Sequence, residues 1–128
     1  MQWKKSKKRA IGRNSKAGGT NAISVGAGAN ASGINGISIG SGTKAGATNA
    51  SALGSGANAN GVNSIALGSG SSTNNAGSVA IGAGSSATSE NATAIGYGSS
   101  SAGVNAIAIG AGVDCTATDC EVLAQVAS

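Results

Sequence analysis

The side chains best placed for covalent chemistry are a serine between two glycines and a pair of cysteines. Residues 36–40 read Gly-Ile-Ser-Ile-Gly, which is the Gly-x-Ser-x-Gly pattern of a nucleophile elbow, whose serine attacks a carbonyl carbon. This reaction needs a general base, usually a histidine, and the 128 residues include none. We therefore predict that the chain is not an enzyme and has no catalytic residue. We interpret the pattern as a by-product of an internal repeat.

The cysteines, Cys115 and Cys120, each follow an aspartate. Two thiols and two carboxylates without a histidine match no standard metal-ligand spacing, so a metal site shared between chains is the least favoured interpretation, and we expect no cofactor. Two other interpretations stay open. The cysteines are either small buried side chains that cap one end of the fold, or they form a disulfide within or between chains.

Positive charge is concentrated at the N-terminus. Seven of the eight Lys and Arg residues lie within the first sixteen positions, three of the four acidic residues lie beyond position 113, and Lys44 and Glu90 carry the charges between. The predicted attachment arm consists of Trp3, Lys4, Lys5, Lys7, Lys8 and Arg9. We expect it to dock on an acidic protein surface such as a capsid or tail, with Trp3 as an aromatic anchor. Nucleic-acid contact is less favoured because no base-reading element accompanies the charges, and a merely solvated tail is the third alternative.

An internal repeat predicts the secondary structure around these residues. The chain has 23 Gly, no Pro and no Phe, and its aromatic residues are Trp3 and Tyr97. This composition excludes the usual globular core of large apolar and aromatic side chains. A glycine recurs every 14 residues, at Gly26, Gly40, Gly54, Gly68, Gly82, Gly96 and Gly110. A second glycine follows two positions later each time. Such a fixed period indicates a stack of identical structural units.

Each unit begins with large and small residues in alternation, which is typical of a short β-strand. Asparagines precede most of these strands, and we predict that they form a ladder of side-chain amides along the stack. The Gly-x-Gly segment permits a tight corner, and a small-x-small segment then forms a second strand. One unit is therefore one coil of two strands and two turns, with coils about 4.7 Å apart.

A coil of 14 residues is thin, so we predict that its interior is filled by Ala and Ser and that its large aliphatic side chains point outward. Those side chains then need a partner chain, and we predict that they form the core of a homotrimer. The predicted trimer core consists of Ile23, Val25, Ile37, Ile39, Leu53, Ile65, Leu67, Val79, Ile81, Ile95, Ile107 and Ile109.

Residues 63–68, Asn-Ser-Ile-Ala-Leu-Gly, and residues 105–110, Asn-Ala-Ile-Ala-Ile-Gly, resemble the head repeats of trimeric autotransporter adhesins, the YadA-like head. The resemblance covers about residues 20–112 and implies an all-β fold, a left-handed parallel β-roll or β-solenoid of 14-residue coils that is homotrimeric. We expect residues 1–19 to be the basic arm with a degenerate first repeat, residues 20–112 to be seven repeats, and residues 113–128 to be a cap or tip.

The expected function is structural. Adhesins of this family carry a secretory signal, a stalk and a membrane anchor, for which we find no room in this chain, and no membrane insertion is expected. We therefore expect a virion surface fibre, spike or capsid decoration, made in the host cytoplasm, that adheres to a host cell-surface receptor. The alternative is the head module of a bacterial adhesin at the cell surface. An ice-binding solenoid is a remote alternative, since it needs a threonine array and the corresponding column is mostly alanine.

Overall fold

The fold is an all-β solenoid, described here from a computed structural model that covers residues 7–123. Each 14-residue unit contributes a strand of three residues and a strand of two. Both are short because a Gly-x-Gly corner or a second turn follows after so few residues. The part of the chain that is described contains no helix long and apolar enough to cross a membrane.

Within residues 7–123 the strands are, in chain order, β1 (Arg9–Ile11), β2 (Lys16–Ala17), β3 (Ile23–Val25), β4 (Asn30–Ala31), β5 (Ile37–Ile39), β6 (Lys44–Ala45), β7 (Ser51–Leu53), β8 (Asn58–Ala59), β9 (Ile65–Leu67), β10 (Ser72–Thr73), β11 (Val79–Ile81), β12 (Ser86–Ala87), β13 (Thr93–Ile95), β14 (Ser100–Ser101), β15 (Ile107–Ile109), β16 (Asp114–Cys115) and β17 (Glu121–Leu123).

Two parallel sheets form the walls of the solenoid. Over the described residues, the odd-numbered strands make a nine-stranded sheet and the even-numbered strands an eight-stranded one, each in chain order. Every strand pairs with the strand one coil away, so that Ile23 lies beside Ile37 and Ile37 beside Ser51. The pairing offset equals the sequence period of 14, which confirms the predicted stack of coils. Identical positions of successive repeats therefore form columns along the axis.

The interior is narrow and is filled by Ala, Ser and Thr. The largest fully buried side chains in residues 7–123 are Thr43, Thr73 and Cys115. The hydroxyls of Thr43 and Thr73 are hydrogen-bonded to Ser38 Oγ (2.6 Å) and Ser64 Oγ (3.0 Å), whereas the buried Oδ1 of Asn58 has no hydrogen-bond partner among the described residues. Two sheets this close leave no space for leucine or isoleucine. The predicted filling of the coil by small residues is confirmed.

The corners explain the invariant glycine column. Gly26 has a φ of 129°, a region open almost only to glycine, and a Cβ there would lie 2.6 Å from the carbonyl oxygen of Gly40 in the next coil. A larger residue would also meet the backbone of the neighbouring coil at the other corners for which the contact is described, which are Gly12, Gly40, Gly54, Gly68, Gly82 and Gly96.

The asparagine column forms the predicted ladder. Asn35 Nδ2 donates to Asn49 Oδ1 (3.1 Å), and Asn49 Nδ2 donates to Asn63 Oδ1 (3.0 Å). These residues also have φ near 61°, in the left-handed region, which asparagine tolerates better than most residues. The ladder is interrupted at Gly77, which adopts the same backbone conformation with φ 70° but has no amide.

Candidate functional site

The candidate site is the outward side of the nine-stranded sheet. Because the middle residue of each three-residue strand faces the interior, the first and third residues face out. We call the large aliphatic members of this set the aliphatic face. It comprises Ile23, Val25, Ile37, Ile39, Leu53, Ile65, Leu67, Val79, Ile81, Ile95, Ile107 and Ile109.

The aliphatic face is uncovered in the single chain. Leu53 keeps 45% of its surface exposed and Ile65 keeps 42%. Their neighbours in the same strands, Ala52 and Ala66, are fully buried. Seven strands at the spacing of a parallel sheet give a stripe roughly 33 Å long and on the order of 300 Å² in area. Apolar patches of a few hundred Å² mark interaction surfaces in soluble proteins. The structure therefore places all twelve predicted core residues on one continuous surface.

A concavity deepens this surface at its C-terminal end. Ile107, Ile109, Leu123 and Glu121 line an open pocket of about 350 Å³. Its walls are aliphatic apart from one carboxylate. Such a lining suits an apolar side chain of another chain.

The serine of the nucleophile-elbow pattern lies on the other side of the same sheet. Ser38 is fully buried, and its Oγ is engaged with the Thr43 hydroxyl and accepts a bond from the Asn30 N–H (3.3 Å). A substrate cannot reach it. The resemblance to an enzyme motif follows from the alternation of small inward and large outward residues.

The described part of the basic arm is built into the first coil. Arg9 lies in β1 and pairs with Ile23, so it stands at the N-terminal border of the aliphatic face. Lys7, Lys8 and Arg13 are exposed beside it. Trp3, Lys4 and Lys5 lie outside the described residues. The positive charges therefore gather at one end of the solenoid.

The cysteines lie at the opposite end. Cys115 is fully buried in β16, and Cys120 is half-buried in the turn before β17. They form a disulfide, with their Cα atoms 5.8 Å apart, which ties the last described strand to the coil before it. Over residues 7–123, His, Cys, Asp and Glu form no cluster of three or more that could hold a metal ion.

Sequence reasoning missed a second group of exposed aliphatic residues. Ile34, Val62 and Val104 each precede an asparagine of the ladder and are exposed at a turn. Thr48, Ala76 and Glu90 occupy the intervening coils, so this group does not form a continuous stripe. Their common position before the asparagine is the signal that could have revealed them.

A parallel solenoid with an apolar stripe along its length defines a repetitive structural module. The model of the YadA head domain repeat matches residues 10–29, 31–57, 59–85 and 87–112, which is most of the chain. The chain belongs to the YadA head domain repeat family. This membership identifies an adhesive module like those of trimeric autotransporter adhesins, whose heads are homotrimeric and surface-exposed. A search of curated proteins finds no match.

Proposed function

We propose that the chain acts as a homotrimeric, surface-exposed adhesive rod whose axis is formed by three aliphatic faces. One observation supports this above all: the fully buried side chains of residues 7–123 are no larger than threonine or cysteine. Val113 and Val122, in the last coils, stand in interior columns and are only partly buried, so the isoleucines and leucines have no place inside their own coil. Around a three-fold axis each face contacts two others, and both of its outward columns are removed from water.

Sedimentation equilibrium of the full chain tests the trimer. We expect a species of three chain masses at micromolar concentration, with no stable single chain. A compact, folded single chain at that concentration would contradict the proposal, because the aliphatic face would then be stable in water.

The adhesive surface of such a trimer is the outward side of the eight-stranded sheet, which faces away from the axis. Its outward column is polar and nearly neutral, and consists of Lys16, Asn30, Lys44, Asn58, Ser72, Ser86, Ser100 and Asp114. A flat surface of small polar groups binds each receptor weakly, so three copies in one rod strengthen attachment through multivalency. Labelled chain applied to bacterial cells and to cultured animal cells measures this adhesion and shows which surface is recognised.

A second proposal concerns the particle or cell that carries the rod. We favour a virion fibre, spike or decoration protein attached by its basic end, because three copies of Lys7, Lys8 and Arg13 would face an acidic capsid or tail surface. Display on a bacterial cell is the alternative, and family membership supports it. Immunogold labelling of producing cells and of the particles that they release distinguishes the two.

Side-chain substitutions test the attachment. Replacing Lys4, Lys5, Lys7 and Lys8 by glutamine removes four charges and leaves β1 in place. We expect trimers to form normally and particle attachment to be lost, whereas Lys44→Gln, in the middle of the rod, leaves attachment unchanged. Full attachment of the fourfold variant would contradict docking through the arm.

A further inference from the structure

Two residues of one coil depart from the pattern of their columns. Tyr97 is the chain's single tyrosine, and the residue at the same place in the six other repeats is Ala or Ser. Glu90 is the only charged residue between Lys44 and Asp114. Both side chains are exposed, and Tyr97 keeps 74% of its surface. The coil itself requires neither residue, because the neighbouring coils form the same turns with small or aliphatic residues.

Glu90 and Tyr97 lie on the two borders of the aliphatic face. Glu90 is in the turn before β13, and Tyr97 is in the turn after it. Both turns are fixed by backbone hydrogen bonds to the next coil: the Asn105 N–H donates to the Glu90 carbonyl (3.0 Å), and the Gly112 N–H donates to the Tyr97 carbonyl (2.9 Å). Because β13 lies between them, the two side chains stand on opposite sides of the surface that we assign to the trimer axis.

Their heights along the solenoid are also related. One coil advances by about 4.7 Å, and Tyr97 follows Glu90 and precedes Val104 by seven residues, which is half a coil. Tyr97 is therefore offset by about 2.4 Å from each of them along the axis. A three-fold rotation about a parallel axis keeps every height and brings one border of each chain against the opposite border of the next. Tyr97 of one chain then stands level with the space between Glu90 and Val104 of the next.

We propose that Tyr97 of each chain binds the next chain there, with its hydroxyl donating to the Glu90 carboxylate and its ring packing on Val104. This inference rests on the proposed trimer and names a contact that fixes its three chains against one another. Val104 is 40% exposed in the single chain, so it has apolar surface for the ring to cover. The occupant of the site is a second copy of this chain, because the two halves of the contact lie on opposite borders of the same coil.

The chemistry of the two borders is complementary. A carboxylate that is partly removed from water where two chains meet needs a hydrogen-bond donor, and a hydroxyl that donates to a carboxylate makes a short, charge-assisted bond. On its other side, Glu90 is level with Ala83 of the neighbouring chain, which has no side-chain donor. In the other coils, the Ala and Ser of this column are too short to reach across, so Val62 stays outside the contact.

The contact distinguishes the aligned trimer from slipped ones. Ile, Val and Leu recur every 14 residues in both outward columns, so a slip of one coil between two chains keeps most of the apolar contacts. In a closed ring of three, a slip at one border requires an opposite slip at another. One Tyr97 would then lie between Val104 and Thr118, away from Glu90. Three Tyr97–Glu90 contacts form only when all chains are level.

Irradiation of the full chain carrying Tyr97→p-benzoylphenylalanine tests the contact directly, because the excited ketone bonds to C–H groups that it touches. On a denaturing gel we expect covalent dimers and trimers, and mass spectrometry should locate the bond within residues 89–105 of another chain. Ser86→p-benzoylphenylalanine is the matched control, since Ser86 lies in β12 of the other sheet and faces away from the axis. It should give single chains. A Tyr97 bond at residues 75–77 or 117–119 would overturn the aligned register.

Two substitutions test the hydrogen bond. Tyr97→Phe removes the hydroxyl alone and leaves Glu90 without its donor, so we expect trimer association to weaken at least about tenfold. Adding Glu90→Val should recover most of this loss, because phenylalanine packs on valine without a donor. Lys44→Gln, which neutralises a charge on the other sheet, should associate as the unchanged chain does.

Sedimentation equilibrium of the unchanged chain separates this inference from the proposed function. A stable single chain would overturn both. A trimer in which position 97 forms no bond to another chain, or in which Tyr97→Phe associates as the unchanged chain does, would overturn the contact and leave the trimer standing. So would a double variant that associates no better than Tyr97→Phe, while circular dichroism shows that both are folded.

Discussion

Replacing Leu53 by serine separates the aliphatic face from other exposed aliphatic residues. Leu53 and Val62 are both 45% exposed in the single chain, yet only Leu53 lies on the aliphatic face. Complete burial of a leucine side chain contributes about 1.5–3 kcal/mol, so covering the exposed 45% contributes about 0.7–1.4 kcal/mol per chain. Three symmetry-related copies bring the loss to about 2–4 kcal/mol per trimer, which weakens trimer formation by about 30-fold to 1,000-fold.

The assay is sedimentation equilibrium of Leu53→Ser and Val62→Ser across a dilution series. We expect Leu53→Ser to dissociate at concentrations at which the unchanged chain and Val62→Ser remain trimeric. Cell binding by Leu53→Ser should weaken in parallel, because single chains lose multivalent attachment. Equal trimer stability in the two variants would refute the assignment of the aliphatic face to the trimer axis.

Three further predictions concern the coil itself. Gly26→Ala places a Cβ against the Gly40 carbonyl oxygen at a φ of 129°, so we expect it to lower the free energy of unfolding by about 1–3 kcal/mol, measured by thermal unfolding. An unchanged melting temperature would contradict this account of the corner. A Cβ at position 77 would press on the Asn91 Oδ1, so the Asn91 side chain must turn; in Gly77→Asn the new amide donates to it and restores the missing rung of the ladder, which should raise stability by about 0.5–1 kcal/mol, whereas Gly77→Ala gains no hydrogen bond and should lower it. Replacing Cys115 and Cys120 together by serine removes a crosslink between residues 5 apart, which contributes about 2 kcal/mol, and hydrogen exchange should accelerate in the last coil and not in the middle of the rod.

The repeat made much of the fold predictable. A column of glycines spaced by 14 predicts which residues lie beside each other, because in a stack of coils the sequence period and the strand register are the same quantity. The exclusion of Ile and Leu from the interior follows from the small circumference of the coil. The amide ladder follows from the same period, since equivalent asparagines stand one strand spacing apart.

Other features were not predictable from the pattern. The asparagine column was predicted only from the amide ladder. The structure shows a second reason for asparagine at these positions, because Asn35 and its equivalents adopt the left-handed backbone conformation, which residue types alone do not reveal. Arg9 was assigned to the basic arm and, with residues 1–19, to a degenerate first repeat, and it lies in the first strand of the sheet. Composition favours neither alternative for Cys115 and Cys120, and the structure joins them as a disulfide.

The period, the columns and the shortage of bulky interior residues can be read from the amino-acid sequence, because each of them repeats in every coil and is constrained by the coils on both sides. Backbone conformation and cysteine pairing are visible only in the folded chain. The left-handed backbone at Asn35 and the disulfide between Cys115 and Cys120 depend on dihedral angles and on distances, which a period of residue types does not specify.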